Sequence, residues 1–347
     1  MVEASRQRSL RGIVRGRPGG CQRLWAVALV VFLVCSGLCT GGAALAQHSP
    51  PFQIGALTTS WGPTPSIAGL RDGLVALGYR EDVQFVMGVR FTQGDLAALP
   101  AAARELVQAG ADVLIPDSDN AAKAAQMATS RIPIVFMYVA DPVGLGLIES
   151  FARPGGNLTG VTNLELELGP KRLEVFQEIV PGLKRVLFPY AAHHTSAAAA
   201  ALVNRDAARR LGMELVEQPV HTEADIQAVL AQLRKGEVDG LLVALHSHAW
   251  NLLGVITEAA SQQGLPTMFA DTFMVERGGL ASYGPDSYRT GWQAARLVDK
   301  ILQGGKPAAI PVEMNSDIEL TINLKVAKAL GLSISPAVLI RAERLIR

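Results

Sequence analysis

Cysteine is nearly missing from the 347 residues, and its three copies, Cys21, Cys35 and Cys39, all lie ahead of residue 47. Once that segment is removed, no thiol is left for a disulfide, a zinc site or a covalent nucleophile, and stability must rest on buried apolar surface. Aromatic residues make up only 5% of the chain, so the places where they occur are informative. Lysine and arginine never run beyond adjacent pairs, which removes the basic stripe that a nucleic-acid groove requires. G-x-S-x-G elbows, H-E-x-x-H helices, phosphate loops and G-x-G-x-x-G fingerprints are missing too, so no catalytic machinery is visible and no cofactor is implied.

What is there begins with an export signal. Six arginines (Arg6, Arg8, Arg11, Arg15, Arg17 and Arg23) precede an apolar run over 24–34 and then the A-x-A triplet Ala44-Leu45-Ala46. The run is shorter than the ~20 apolar residues a membrane span needs, which favours cleavage over a retained anchor. Cleavage after Ala46 makes Gln47 the new N-terminus. A lipoprotein signal wants a small residue before its cysteine, whereas Cys35 follows Val34 and Cys39 follows Leu38. Six arginines and one glutamate leave with the signal, so 32 basic and 31 acidic residues become 26 and 30, a formal charge of −4. The expected product is a monomer in the periplasm, large enough for two domains.

From residue 52 onward, short apolar strands alternate with amphipathic helical stretches, the pattern of parallel sheets covered on both faces. Strands are predicted over 54–57, 83–91, 113–115 and 134–139, with helices over 67–77, 96–108 and 121–129 between them. Arg153-Pro154-Gly155-Gly156-Asn157 breaks the pattern before a short strand over 159–162. The alternation restarts with helices over 171–179, 197–211, 223–234 and 251–263 and strands over 185–188, 213–217, 240–245 and 266–270. The glycine-rich stretch 278–284 reads as a second crossing, a helix over 288–302 returns to the first sheet, and a third crossing precedes an extended segment over 318–322. The fold class is therefore α/β, two doubly wound parallel-sheet lobes joined by three hinge crossings. Residues 1–46 form the signal peptide, 50–160 with 281–308 the N-terminal lobe, and 161–280 with 309–347 the C-terminal lobe.

Several segments resemble one known family. They are Ile134-Val135-Phe136, Asp141-Pro142-Val143-Gly144, Ala152 through Gly160 (ARPGGNLTG), Ser282-Tyr283-Gly284-Pro285 and Ile322 through Leu332 (INLKVAKALGL). Together they are similar to the ABC transporter substrate-binding family that includes tryptophan- and tyrosine-type receptors. The resemblance spans nearly the whole chain beyond the signal. It implies the type I periplasmic-binding fold, transport rather than catalysis, and an ABC permease with its ATPase in the inner membrane as partners. Where the family often carries a Gly-Thr-Pro-type loop after the third strand, this chain has Pro116-Asp117-Ser118-Asp119-Asn120.

In open α/β sheets a ligand lies beyond the carboxyl ends of the strands, where helix N-termini offer unpaired N–H groups. Scarce aromatics recur at those corners: Trp61, Tyr138, Tyr190, Trp250, Phe273 and Tyr283. They either stack on an apolar solute or plug the bases of loops. Ser60, Ser118 and Thr272 suit a ligand carboxylate and are equally good helix caps. Asp141 and Asp271 suit a ligand ammonium. His246 stands with His193, His194 and His248 at the strand ends of the second lobe, as polar contacts or solvated loop residues. Adjacent His-His is awkward for chelation and no cysteine assists, so no metal site is assigned. The reading is a solute-binding clamshell that takes an amino acid or related zwitterion. A sensor for a membrane kinase or chemoreceptor, or an exported α/β enzyme, are the competing readings.

Overall fold

The computed structural model describes residues 50–192, 196–243 and 251–347. Its first half alternates β1 (Phe52–Thr58), α1 (Pro65–Ala76), β2 (Phe85–Phe91), α2 (Leu99–Gln108), β3 (Val113–Pro116), α3 (Asp119–Ala128), β4 (Ile134–Val139) and β5 (Leu158–Thr162). The second half runs α4 (Glu165–Ile179), β6 (Arg185–Ala191), α5 (Ala197–Arg210), β7 (Glu214–Val220), α6 (Glu223–Gln232), β8 (Gly240–Val243), α7 (Leu253–Gln263), β9 (Thr267–Phe269), α8 (Thr272–Glu276) and β10 (Ala281–Pro285). The chain then returns as α9 (Ser287–Leu302) and β11 (Glu313–Met314), and finishes with β12 (Ile318–Asn323), α10 (Leu324–Ala329), α11 (Pro336–Arg341) and β13 (Arg344–Ile346).

Two sheets result, with strand orders β11-β5-β4-β3-β1-β2 and β13-β12-β10-β9-β8-β6-β7. Every pairing in the first is parallel, and in the second only β10 and β12 run antiparallel. Strands covered by helices on both faces need apolar side chains on both, which is why β3 and β8 are buried at every position. Each sheet has a core on either side. Leu57, Leu114 and Phe136 face α2 and α3, while Ile54, Val113 and Val135 face α1 and α9. In the second sheet Phe188 and Leu242 lie on one face and Leu187 and Leu241 on the other.

Helix α1 begins where Thr64 accepts the Ile67 N–H at 3.3 Å and Pro65 occupies the first turn, the N-terminal signature of a helix. It packs closely on α9 because glycines remove the obstacle. A Cβ on Gly69 would overlap the Tyr288 carbonyl oxygen, and one on Gly291 would overlap the Ser66 carbonyl oxygen. Gly291→Val should therefore force the two helices apart and lower stability by about 2–3 kcal/mol, read as an earlier thermal melt. An unchanged melt would mean that this contact is looser than described.

Two strands fall on the other side of the boundaries drawn from the sequence. β10 belongs to the second sheet, and the chain crosses after Pro285, not at 278–284. The small residues there serve strand packing: a Cβ on Gly284 would overlap the Ala270 carbonyl oxygen, and one on Gly279 would press on the Phe269 ring. β11 pairs with β5 in the first sheet, so the third crossing lies between Met314 and Ile318. α4 also starts earlier than the predicted 171, because Pro170 sits inside the helix and does not precede it.

Candidate functional site

The carboxyl ends of β1, β3 and β4, neighbours in the first sheet, face the N-termini of α5 and α8 from the second. Side-chain hydrogen bonds cross between the lobes at this edge. The Ser196 hydroxyl, at the cap of α5, donates to Asp119 Oδ2, and Asn251 Nδ2 donates to the Thr59 carbonyl oxygen at 3.4 Å and to Glu223 Oε1 at 3.0 Å. The lobes thus touch directly.

Beneath these contacts lies a layer of buried acids. Asp117 Oδ2 accepts from the hydroxyls of Thr64 (3.2 Å) and Ser66 (3.0 Å), while its Oδ1 is buried and has no hydrogen-bond partner. Burial pushes this carboxyl up to about 7, with the two hydroxyls pulling it down. Asp119 Oδ1 takes the Ala140 N–H at 3.0 Å, and burial raises this group as well. Asp271 caps α8 through Oδ1 and the Phe273 N–H at 2.8 Å. Its Oδ2 accepts the Ser287 N–H at 3.1 Å and the Ser287 hydroxyl, which pins the start of α9 beside the second crossing. Burial pushes Asp271 up to about 7, against those hydrogen bonds.

Tyr138 has a left-handed backbone, φ 55°, at a bulge where β4 slips its register against β5 between Met137 and Val139. For an aromatic residue that conformation is strained, and such strain concentrates at functional sites. The phenol oxygen is buried, and its pKa is driven far up by burial, then by the nearby Asp271 charge and to a lesser degree that of Asp117, against the Ser287 and Thr290 hydroxyls, which pull it down. Thr59 is 1% exposed, and its hydroxyl is without a partner.

The other nominated residues divide sharply. Ser60 donates to the Gly62 carbonyl at 2.7 Å, Ser118 caps α3 by accepting the Ala121 N–H at 3.3 Å, and Asp141 takes the Gly144 N–H at 2.8 Å. The Thr272 hydroxyl is paired with that of Thr321 at 2.8 Å. The Tyr190 ring stacks on Phe188 with centroids 5.8 Å apart, and Tyr283 packs half-buried on the same core. Trp61 is 62% exposed on the rim of a groove of about 470 Å³ between the lobes, shared with Asn251, Phe273 and Arg277. His246, His193, His194, His248 and Trp250 lie outside the described residues.

The sequence reading passed over an ion pair. Arg172, 1% exposed, donates from Nη1 and Nη2 to Glu165 Oε1 and Oε2 at 2.8 and 3.2 Å, and from Nε to the Tyr283 carbonyl at 2.9 Å. It ties the start of α4, just past the first crossing, to β10, just before the second. The i, i+7 spacing was the available signal, since it puts both residues on one helix face.

A model of the ABC transporter substrate binding protein family matches residues 64–346. A tyrosine-binding protein of Clostridioides difficile (strain R20291) is 26% identical over 273 residues, which cover 77% of this chain and 78% of that one. Among solved structures, a conserved domain protein from Vibrio cholerae O1 biovar El Tor aligns with TM-score 0.80 at 31% identity, over 85% of this chain and 99% of that one. A protein from Streptococcus pneumoniae solved in complex with L-Trp aligns with TM-score 0.79 at 26% identity, over 85% and 100%.

Proposed function

Since the chain belongs to the family of ABC transporter substrate-binding proteins, a solute receptor with the type I periplasmic-binding fold, we propose that it closes its lobes on a free amino acid in the periplasm and delivers it to an inner-membrane permease and ATPase. Residues 1–46 act as the export signal and are removed, and the released receptor is a monomer. The observation that carries the ligand class is the pair of buried polar atoms without protein partners at two adjacent strand ends, Thr59 Oγ1 and Asp117 Oδ1. Leaving such an atom buried and unpaired costs about 1–3 kcal/mol, so the two together mark a place where a polar ligand group completes the protein. The relatives with tyrosine and L-Trp support an amino acid as that ligand.

Binding should be accompanied by hinge closure and by no chemical change. Isothermal titration of the protein from Gln47 onward with the proteinogenic amino acids should give at least one with dissociation constant in the micromolar range or below. The same ligand should shrink the radius of gyration in solution scattering. Twenty amino acids without binding heat, or binding without compaction, would refute the receptor reading.

A further inference from the structure

A receptor for a zwitterion has to hold the negative pole as well as the positive one, and the groove between the lobes offers a group for it. Among the described residues that line the groove, only Arg277 is charged. The neighbouring Glu276 is taken by Arg344, and Arg277 forms no ion pair with any described residue. Buried Arg172, by contrast, is matched by Glu165. Ser60, which lines the same groove and suits an anion, spends its proton on the Gly62 carbonyl at 2.7 Å.

Arg277 is also held in a definite pose. Its guanidinium carbon lies 4.6 Å from the centroid of the Phe273 ring, a cation–π contact. α8 is in turn fixed at its start by the Asp271 carboxylate, which takes the Phe273 N–H at 2.8 Å. Contact through one flat face leaves the N–H donors at the guanidinium edge available, and that planar fork matches the two oxygens of a carboxylate. Trp61, 62% exposed, lines the groove from the first lobe, and Leu253 lines it from the second. An indole left mostly in water near a cation gains most from an apolar body that carries an anion. Thr64, another lining residue, donates to Asp117 Oδ2 at 3.2 Å. The groove therefore has an acid behind its first-lobe wall and a cation on its second-lobe wall.

We propose that Arg277 binds the carboxylate of the solute, with the Trp61 indole covering the carbon skeleton from the opposite lobe. This rests on the amino-acid reading of the cleft. It makes the carboxylate the group without which a solute is refused. An α-carboxamide or a decarboxylated amine of the same skeleton keeps the body that Trp61 covers and offers Arg277 no negative charge. Because the two residues stand on different lobes, a solute that satisfies both is held by both, as hinge motion in response to a ligand requires.

The test takes the tightest-binding of the twenty proteinogenic amino acids for the protein from Gln47 onward and titrates it beside its α-carboxamide and its decarboxylated amine. The titrations are repeated on Arg277→Gln, Arg277→Lys and Trp61→Ala. On the wild type the acid should bind about 100-fold more tightly than the carboxamide. Arg277→Gln should weaken the acid about 30-fold and leave the carboxamide where it was. The ligand-free melt should not shift, because the Arg277 side chain is exposed. Arg277→Lys, which keeps the charge and loses the fork, should lie between. Trp61→Ala should weaken acid and carboxamide alike. A carboxamide as tight as the acid on the wild type overturns the assignment, as does unchanged affinity for the acid in Arg277→Gln or an equal loss for acid and carboxamide there. Unchanged affinity in Trp61→Ala overturns the part given to the indole. If Arg277→Gln melts early, the acid and carboxamide on the wild type decide. No binding by any of the twenty overturns the amino-acid reading and this inference with it, whereas a bound amino acid indifferent to Arg277 overturns the inference alone.

Discussion

Arg172→Leu is expected to lower the stability of the ligand-free protein by about 3–5 kcal/mol, because it leaves the Glu165 carboxylate buried without its partner. The loss goes beyond one charge pair, since the Tyr283 carbonyl in β10 also loses its donor. Replacing both partners with apolar residues removes the stranded charge, so Arg172→Leu with Glu165→Leu should recover most of the lost stability. Thermal and urea melts of the single and double variants check this. A single variant that melts like the wild type would mean that water reaches Glu165, and a double variant no better than the single would assign the loss to the Tyr283 contact.

The second large effect is on pH. Asp117 and Asp271 stand near 7 in the folded protein against an ordinary 3.8. A carboxyl with a raised folded value holds its proton more tightly when folded. Its contribution to stability is therefore full below the unfolded value and is lost as pH rises through the folded one. Each shift corresponds to on the order of 4 kcal/mol across a window from about pH 4 to 7. The ligand-free protein should melt at a markedly lower temperature at pH 7.5 than at pH 5. In Asp271→Asn, whose amide cannot ionise, the part of that dependence due to Asp271 should vanish and the slope should fall. Equal slopes in wild type and variant would show that Asp271 is ionised and well solvated in the folded state.

Much of the fold was legible because alternation of apolar strands with amphipathic helices is a strong pattern, and caps such as Thr64 and Thr222 stand where the first turns begin. The misplaced crossing had a physical origin. Glycine at 279 and 284 marks close approach as readily as a bend, and the sequence does not say which neighbour comes close. The first turns of α4 were hidden by Pro170, which usually marks a helix boundary.

The strand ends named from the sequence lie where side chains of the two lobes meet, but period-two alternation puts Tyr190 on the same face as Phe188, toward the core, a constraint that the sequence already carries. Asp271 was singled out for a ligand, whereas its oxygens hold α8 and α9. Asp117 lay within the loop noted as unusual, yet only the structure reveals that one of its oxygens is buried and without a partner. The Glu165–Arg172 pair was passed over because charged residues on an amphipathic helix ordinarily mark the solvated face.

The most direct measurement is mass spectrometry of the small molecule released when freshly purified, undialysed protein is denatured, followed by re-addition of that compound to ligand-free protein. An intact amino acid, released in near-stoichiometric amount, raising the melting temperature on re-addition and recovered unchanged after prolonged incubation, is the expected result. Recovery of a converted product, or a released compound with no amino group that rebinds and stabilises the protein, would contradict it.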